Sequence, residues 1–130
     1  MLVDFPDLRA IVAHCGFSWS EHVLMLLAAH PALAADFAYW GPTQPPWRAA
    51  QTLSMAKHLG VIERLFWGTD YPFTNPKDDL AYWRTIPSTT ERLGLEPGIT
   101  ERDIEALLGA NLVRYLDLDA KGSWIFKSGV

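Results

Sequence analysis

Cysteine is nearly absent from this chain. A single Cys15 in 130 residues rules out an intramolecular disulfide, so whatever fold forms must be held by packing. Long hydrophobic runs are missing too: the longest, Val23 to Ala29, is far too short to cross a bilayer, and no signal peptide is evident. There is no excess of positive charge. With 11 basic and 15 acidic residues the formal net charge is -4, which argues against a general nucleic-acid or anionic-membrane surface. Internal repeats and low-complexity segments are also lacking. What remains is globular in composition, 49% hydrophobic and 20% charged, enough for one modest core, and a cytoplasmic location is the expectation. Six tryptophans are many for this length, and in a fragment some would face a surface that the missing part should cover.

The chain alternates strand and helix signals. Ala10 to His14 reads as a first strand, and Ser18 then opens a helix through Ala29, with Glu21 completing a capping box and Pro31 stopping it. Leu33 to Phe37 is a second strand. A proline-rich loop (Gly41, Pro42, Pro45, Pro46) leads to a helix from about Trp47 to Leu59, which ends on Gly60. Leu65 to Gly68 makes the third strand. Asn75-Pro76 then caps a helix over Asp78 to Ile86, and Thr100 caps the last one. Strands joined by long helical crossovers are parallel. Residues 119–130 form a tail in which Trp124, Ile125 and Phe126 have no evident docking place.

In a parallel α/β sheet the carboxyl ends of the strands form the rim where ligands bind. Two acid–base residues stand there. Leu65, Phe66 and Trp67 deliver Asp70 to the exit of the third strand, and Ala10, Ile11, Val12 and Ala13 deliver His14 to the exit of the first. If the strands are adjacent, His14 and Asp70 leave the same rim roughly 10 Å apart at the backbone.

These segments resemble the last part of the amidohydrolase superfamily, in its branch of amidohydrolase-related hydrolases and decarboxylases. Phe5-Pro6-Asp7-Leu8-Arg9 with Ala13-His14-Cys15-Gly16 is similar to that branch's sixth strand, and Trp67-Gly68-Thr69-Asp70-Tyr71-Pro72-Phe73 to its eighth. Thr100 to Ile104 and Leu108 to Asn111 are similar to its closing helix. The resemblance spans residues 1–118 and implies an α/β fold, the C-terminal portion of a TIM-like (β/α)₈ barrel with about three strand–helix units. A complete barrel needs about 250 residues. The chain therefore reads as a fragment or one piece of a split barrel.

The resemblance also implies a divalent metal, zinc being the expected ion, held by a His-x-His pair, a further histidine and an aspartate. Asp70 matches that aspartate. No His-x-His occurs among His14, His22, His30 and His58, and a catalytic zinc generally needs three protein ligands plus water, so tight binding by this chain alone is not expected. In the implied mechanism Asp70 binds the metal and acts as general base toward water that the cation acidifies, while His14 polarises the substrate or shuttles a proton. The implied reaction is hydrolysis of a small organic substrate. Nonoxidative decarboxylation, or a catalytically silent assembly module, are the alternatives. Self-association or a complementary N-terminal barrel half is the expected partner.

Each residue also has a structural reading. Asp70 can be a turn residue bonding its own backbone, and His14 a buried, hydrogen-bonded side chain. Asp36 fits a loop cap better than a ligand. Cys15 fits a small buried hydrophobe, and His22, His30 and His58 belong to the outer helices. Tyr39 and Trp40 either line a substrate pocket or cap the barrel. Phe66, Trp67 and Val12 are candidates for the inner face.

Overall fold

The computed structural model describes residues 4, 5 and 8–118. Pro6, Asp7 and the tail 119–130 lie outside the described residues. Three strands, β1 (Ala10–Val12), β2 (Leu33–Asp36) and β3 (Leu65–Phe66), pair in the order β1-β2-β3, and both pairings are parallel. The crossovers are helical, as parallel pairing requires. Helix α1 (Ser20–Ala29) joins β1 to β2, and α2 (Trp40–Thr43) with α3 (Pro46–His58) joins β2 to β3. After β3 come α4 (Pro76–Arg84), α5 (Ile86–Leu93), α6 (Glu101–Glu105), a π-helical turn Ala106–Ala110 and α7 (Asn111–Tyr115).

Strand register sorts the side chains into two faces, because alternate residues point opposite ways. Ala10, Val12, Leu33, Ala35 and Leu65 face the helices and join Leu24, Leu27, Leu53, Trp83, Ile86 and Leu107 in the core. Each fully buried leucine of this layer stabilises the fold by about 1.5–3 kcal/mol. Ile11 pairs with Ala34 and Asp36 with Phe66, which sets these four on the opposite face, the one a closed barrel turns inward. Two inner-face expectations are corrected here. Val12 pairs with Ala35, and Trp67 follows Phe66 by one residue, so both pack against the helix side. Phe66 does belong to the inner face, beneath the Tyr115 ring at 5.2 Å, whereas Ile11 is 43% exposed.

Local chemistry sets the boundaries. The strands are shorter than expected, and β1 stops at Val12 because His14, Cys15 and Gly16 are all left-handed. The same turn overrides the expected Ser18 capping box: the chain is still reversing through Trp19, so α1 starts at Ser20 without a side-chain cap. Asn75 caps α4 through the Lys77 amide, and Thr100 with Asp103 forms a full capping box on α6. Where one helix was expected to run to Ile86, two are found. Pro87 lacks the amide that would bond back one turn and its ring clashes with that turn's carbonyl, so the helix breaks at Thr85. Gly60 follows α3 at φ 69°, as its expected role requires.

The closing helix is tied to the sheet by polar side chains. Asn111 is buried and its Nδ2 donates to the carbonyls of Ile62 and Leu65, both at 3.0 Å. The Tyr115 hydroxyl donates to Ala32 O at 2.8 Å and reaches Ala10 O at 3.2 Å, spanning β1 and β2 at their starts. Within the π-helical turn the Leu107 carbonyl accepts from the Trp67 amide, so the wide turn holds the exit of β3.

Candidate functional site

All three strands leave the sheet through a residue in the left-handed region: His14 (φ 56°) after β1, Tyr39 (φ 64°) after β2 and Asp70 (φ 59°) after β3. For non-glycine residues this conformation costs about 1–2 kcal/mol each and persists only where the surroundings impose it. Such strain clusters at functional rims. The alternation and motif arguments pointed to these residues, but nothing in the sequence indicated their backbone conformation.

At the first exit the Asp36 carboxylate does the imposing. Its Oδ1 accepts from the His14 amide at 3.0 Å and from the Ala38 amide at 2.9 Å, so Asp36 acts as a loop cap. The half-buried His14 ring places Nδ1 3.0 Å from the Ala38 carbonyl, an acceptor only, so Nδ1 carries the proton. In the neutral ring Nε2 is then the lone-pair nitrogen, available to accept a proton or a hydrogen bond. Phe17 stacks beside the ring at 4.9 Å.

Trp40 does not line a pocket. It is fully buried, and its Nε1 donates to the His14 carbonyl at 2.7 Å, so it supports the histidine from beneath. This corrects the substrate-lining expectation for Trp40. Tyr39 is half-buried on the rim, edge-on to Phe17 at 6.3 Å and to Phe73 at 6.2 Å. An aromatic row thus runs from His14 through Phe17 and Tyr39 to Phe73, in the turn after Asp70.

Asp70 is exposed, and its carboxylate has no hydrogen bond or ion pair among the described residues. Its backbone carbonyl accepts from the Phe73 amide at 2.9 Å, while the Thr69 hydroxyl accepts from the Tyr71 amide and the Thr74 hydroxyl donates to the Thr69 carbonyl. The turn is held by its backbone and by its threonines, leaving the Asp70 side chain unengaged.

Asp79 was not singled out in the sequence, yet it organises the same rim. It is 2% exposed, and its Oδ2 accepts from Trp67 Nε1 at 2.6 Å and Trp83 Nε1 at 3.2 Å. Oδ1 lies against Gly41, where a Cβ would come within 2.1 Å of it. Burial pushes the Asp79 pKa up, opposed by hydrogen bonds from the two indoles and from the Gly41 amide. The i, i+4 spacing of Asp79 and Trp83 was the available signal.

Cys15 is fully buried, and burial, with the Asp36 charge adding to it, pushes its thiol up to about 12, which fits a small hydrophobe rather than a nucleophile. His22, His30 and His58 lie on α1 or at helix ends. Among the described residues no three His, Cys, Asp or Glu side chains gather as a metal site. The unengaged Asp70 carboxylate could hold one coordination position of a divalent metal.

Comparison with solved structures returns the same architecture. An uncharacterized TIM-barrel protein from Bordetella bronchiseptica superposes with TM-score 0.58 at 23% identity, over 89% of this chain and 36% of its own. The 5-carboxyvanillate decarboxylase LigW from Sphingomonas paucimobilis superposes with TM-score 0.60 at 15% identity, over 91% and 36%. The chain therefore spans about a third of these barrels, and at such identities the likeness concerns the fold. No curated protein matches the sequence. A family model described as amidohydrolase matches residues 1–118, covering the rim turns of His14, Tyr39 and Asp70 and the closing helix that Asn111 ties to β3, and the chain belongs to the amidohydrolase family.

Proposed function

We propose that this chain carries the C-terminal rim of a metal-dependent hydrolase, with Asp70 and His14 as its acid–base residues. The observation that carries this reading is the Asp70 carboxylate, held at the exit of β3 in a strained conformation and bonded to nothing among the described residues. An aspartate serving only its turn would bond that turn; here the Thr69 and Thr74 side chains do so.

Asp70 would be one protein ligand to a divalent ion, zinc being the expected one, and a free carboxylate oxygen would accept the proton of an attacking water. When bound, the metal supplies Lewis acidity that makes water a nucleophile near neutral pH. His14 Nε2 faces the substrate as a hydrogen-bond partner and accepts or returns a proton, its tautomer fixed by the Ala38 carbonyl. Asp36 and Trp40 hold that histidine in place through its amide and its carbonyl. Tyr39 lines the approach.

The remaining ligands and five further strand–helix units would come from a complementary N-terminal half of the barrel, in the same polypeptide or in another. Nonoxidative decarboxylation is the second reading. It is favoured by the fold shared with a decarboxylase, and it would use the same two residues on an aromatic carboxylate.

Zinc retention tests the division of ligands. The isolated chain, dialysed against a mild chelator, is expected to retain well under one zinc per chain, and the assembled barrel about one. Stoichiometric zinc on the isolated chain would overturn the ligand assignment.

A further inference from the structure

Beside the turn that carries His14, α1 and α3 bound a cavity of about 250 Å³, walled by Ser20 and Glu21 of α1 and by Trp47, Arg48, Thr52 and Met55 of α3, among others. Both walls hang on one carbonyl: Phe17 O accepts from the Ser20 amide and, at 3.3 Å, from Arg48 Nη2. Arg48 is half-buried and has no ion pair among the described residues. Its Nε is sealed, but Nη1 is open to solvent and has no partner among those residues. Ser20 is 3% and Thr52 6% exposed; neither hydroxyl has a partner among the described residues, and neither oxygen is closed to solvent. Buried polar groups are normally paired, and an open donor lining a cavity is satisfied by whatever acceptor enters it.

The surroundings select the acceptor. Of the lining residues Arg48 alone is cationic and Glu21 alone acidic, and Glu21 is exposed and forms no ion pair with Arg48. Arg48 and Thr52, one turn apart, share a face of α3. The cavity lies at the N-terminal end of the ten-residue α1, which has no side-chain cap, so the helix dipole adds to the guanidinium charge. Trp47, 48% exposed, and Met55 contribute apolar surface. A guanidinium and two hydroxyls beside an indole fit a carboxylate attached to an apolar body. A cation would meet Arg48. A neutral molecule would leave the guanidinium unpaired, and inorganic phosphate has nothing to set against Trp47 and Met55.

We propose that this cavity binds a small apolar carboxylate, its oxygens accepting from Arg48 Nη1, Ser20 Oγ and Thr52 Oγ1 and its body resting against Trp47 and Met55. The site stands on the cavity and does not depend on a metal at Asp70. Phe17 nevertheless links it to the rim, since its carbonyl holds Arg48 and its ring stacks beside His14 at 4.9 Å.

Equilibrium dialysis of the full chain against benzoate tests the proposal, with benzyl alcohol, benzylammonium and inorganic phosphate as comparators. It reads binding whatever the state of association. The expected result is saturable uptake of one benzoate per chain, at least about tenfold tighter than any comparator. Binding should be lost in Arg48→Gln, weakened several-fold in Ser20→Ala and in Thr52→Val, tightened in Glu21→Gln, and unchanged in Asp70→Asn. If circular dichroism shows Arg48→Gln to be unfolded, the two hydroxyl variants decide, and both must weaken binding. Absence of saturable uptake, equal uptake of benzyl alcohol or phosphate, unchanged binding in Ser20→Ala and Thr52→Val, or weaker binding in Glu21→Gln would each overturn it. So would loss of binding in Asp70→Asn, which would place the benzoate at the rim instead. Zinc retention by the assembled barrel is a separate readout, so the two readings fail independently.

Discussion

Asp36 and His14 are joined across neighbouring strand exits. The carboxylate that ends β2 accepts the amide of the residue that begins the left-handed turn after β1, at 3.0 Å, while also accepting the Ala38 amide at 2.9 Å. One side chain therefore fixes two rim loops, and through the Ala38 carbonyl it indirectly sets the His14 tautomer.

Removing that carboxylate should be costly. Asp36→Ala leaves two half-buried amides without an acceptor, and a loss of about 1–3 kcal/mol in unfolding free energy is expected from urea denaturation. Asp36→Asn retains an acceptor oxygen and should recover most of it. Equal losses in the two variants would show that charge, not the shared acceptor, matters.

Gly41 is required by a close approach rather than by its backbone angle. An added Cβ would lie 2.1 Å from Asp79 Oδ1, so Gly41→Ala must displace either loop or carboxylate, at about 1–3 kcal/mol. In Gly41→Ala/Asp79→Ala the clash is gone, and the double mutant should be more stable than the sum of the two single losses predicts. Strict additivity would mean that the two residues do not meet in solution.

The two perturbed aspartates give stability opposite slopes with pH. Burial raises the pKa of Asp79, so the native state keeps a proton that the unfolded chain has lost. From the ordinary carboxylate value of the unfolded chain up to the raised native one, stability falls as pH rises, and Asp79→Asn should remove that slope. Asp103 behaves in the reverse sense. Burial raises its pKa, but the Lys57 ammonium at 2.7 Å and the Thr100 amide and hydroxyl outweigh burial and hold it low. Its contribution is present above the unfolded value and is lost as pH falls through the native one. Lys57→Met should flatten the acid limb of the stability profile, and an unchanged acid limb would remove this ion pair from the account.

The sheet has two open edges, since β1 and β3 each pair on one side only among the described residues. With Ile11 43% exposed on the inner face, the isolated chain should associate with itself or with a barrel half. Light scattering coupled to size-exclusion chromatography should report species larger than 14.6 kDa. A monodisperse monomer with a cooperative thermal transition would mean that the edges are covered in some other way.

Much of this architecture was legible in the residues. Apolar runs ending in His14 and Asp70, proline and glycine punctuation at Pro31 and Gly60, and the caps Asn75 and Thr100 mark parallel strand–helix units, because each is a local signal. The missed features are those set by tertiary geometry. The left-handed run His14 to Gly16 moved the start of α1 past Ser18, and strand alternation sent Val12 and Trp67 to the helix side. Asp79 reads as an ordinary first-turn helix acid, and only the fold brings Trp67 and Gly41 to its oxygens. The burial of Trp40 follows from the same cause, since its hydrogen bond to His14 crosses from one strand exit to another.

The most direct test of the proposed chemistry is the turnover of Asp70→Asn in the assembled barrel. It would be measured on whichever member of a panel of small esters, lactones, amides and aromatic carboxylates the unaltered barrel converts. Asparagine keeps the shape and removes both the base and the ligand charge, so turnover is expected to fall at least about a hundredfold, with the circular dichroism spectrum unchanged. Turnover within a few-fold of the unaltered protein, on an intact fold, would contradict the account and take Asp70 out of the mechanism.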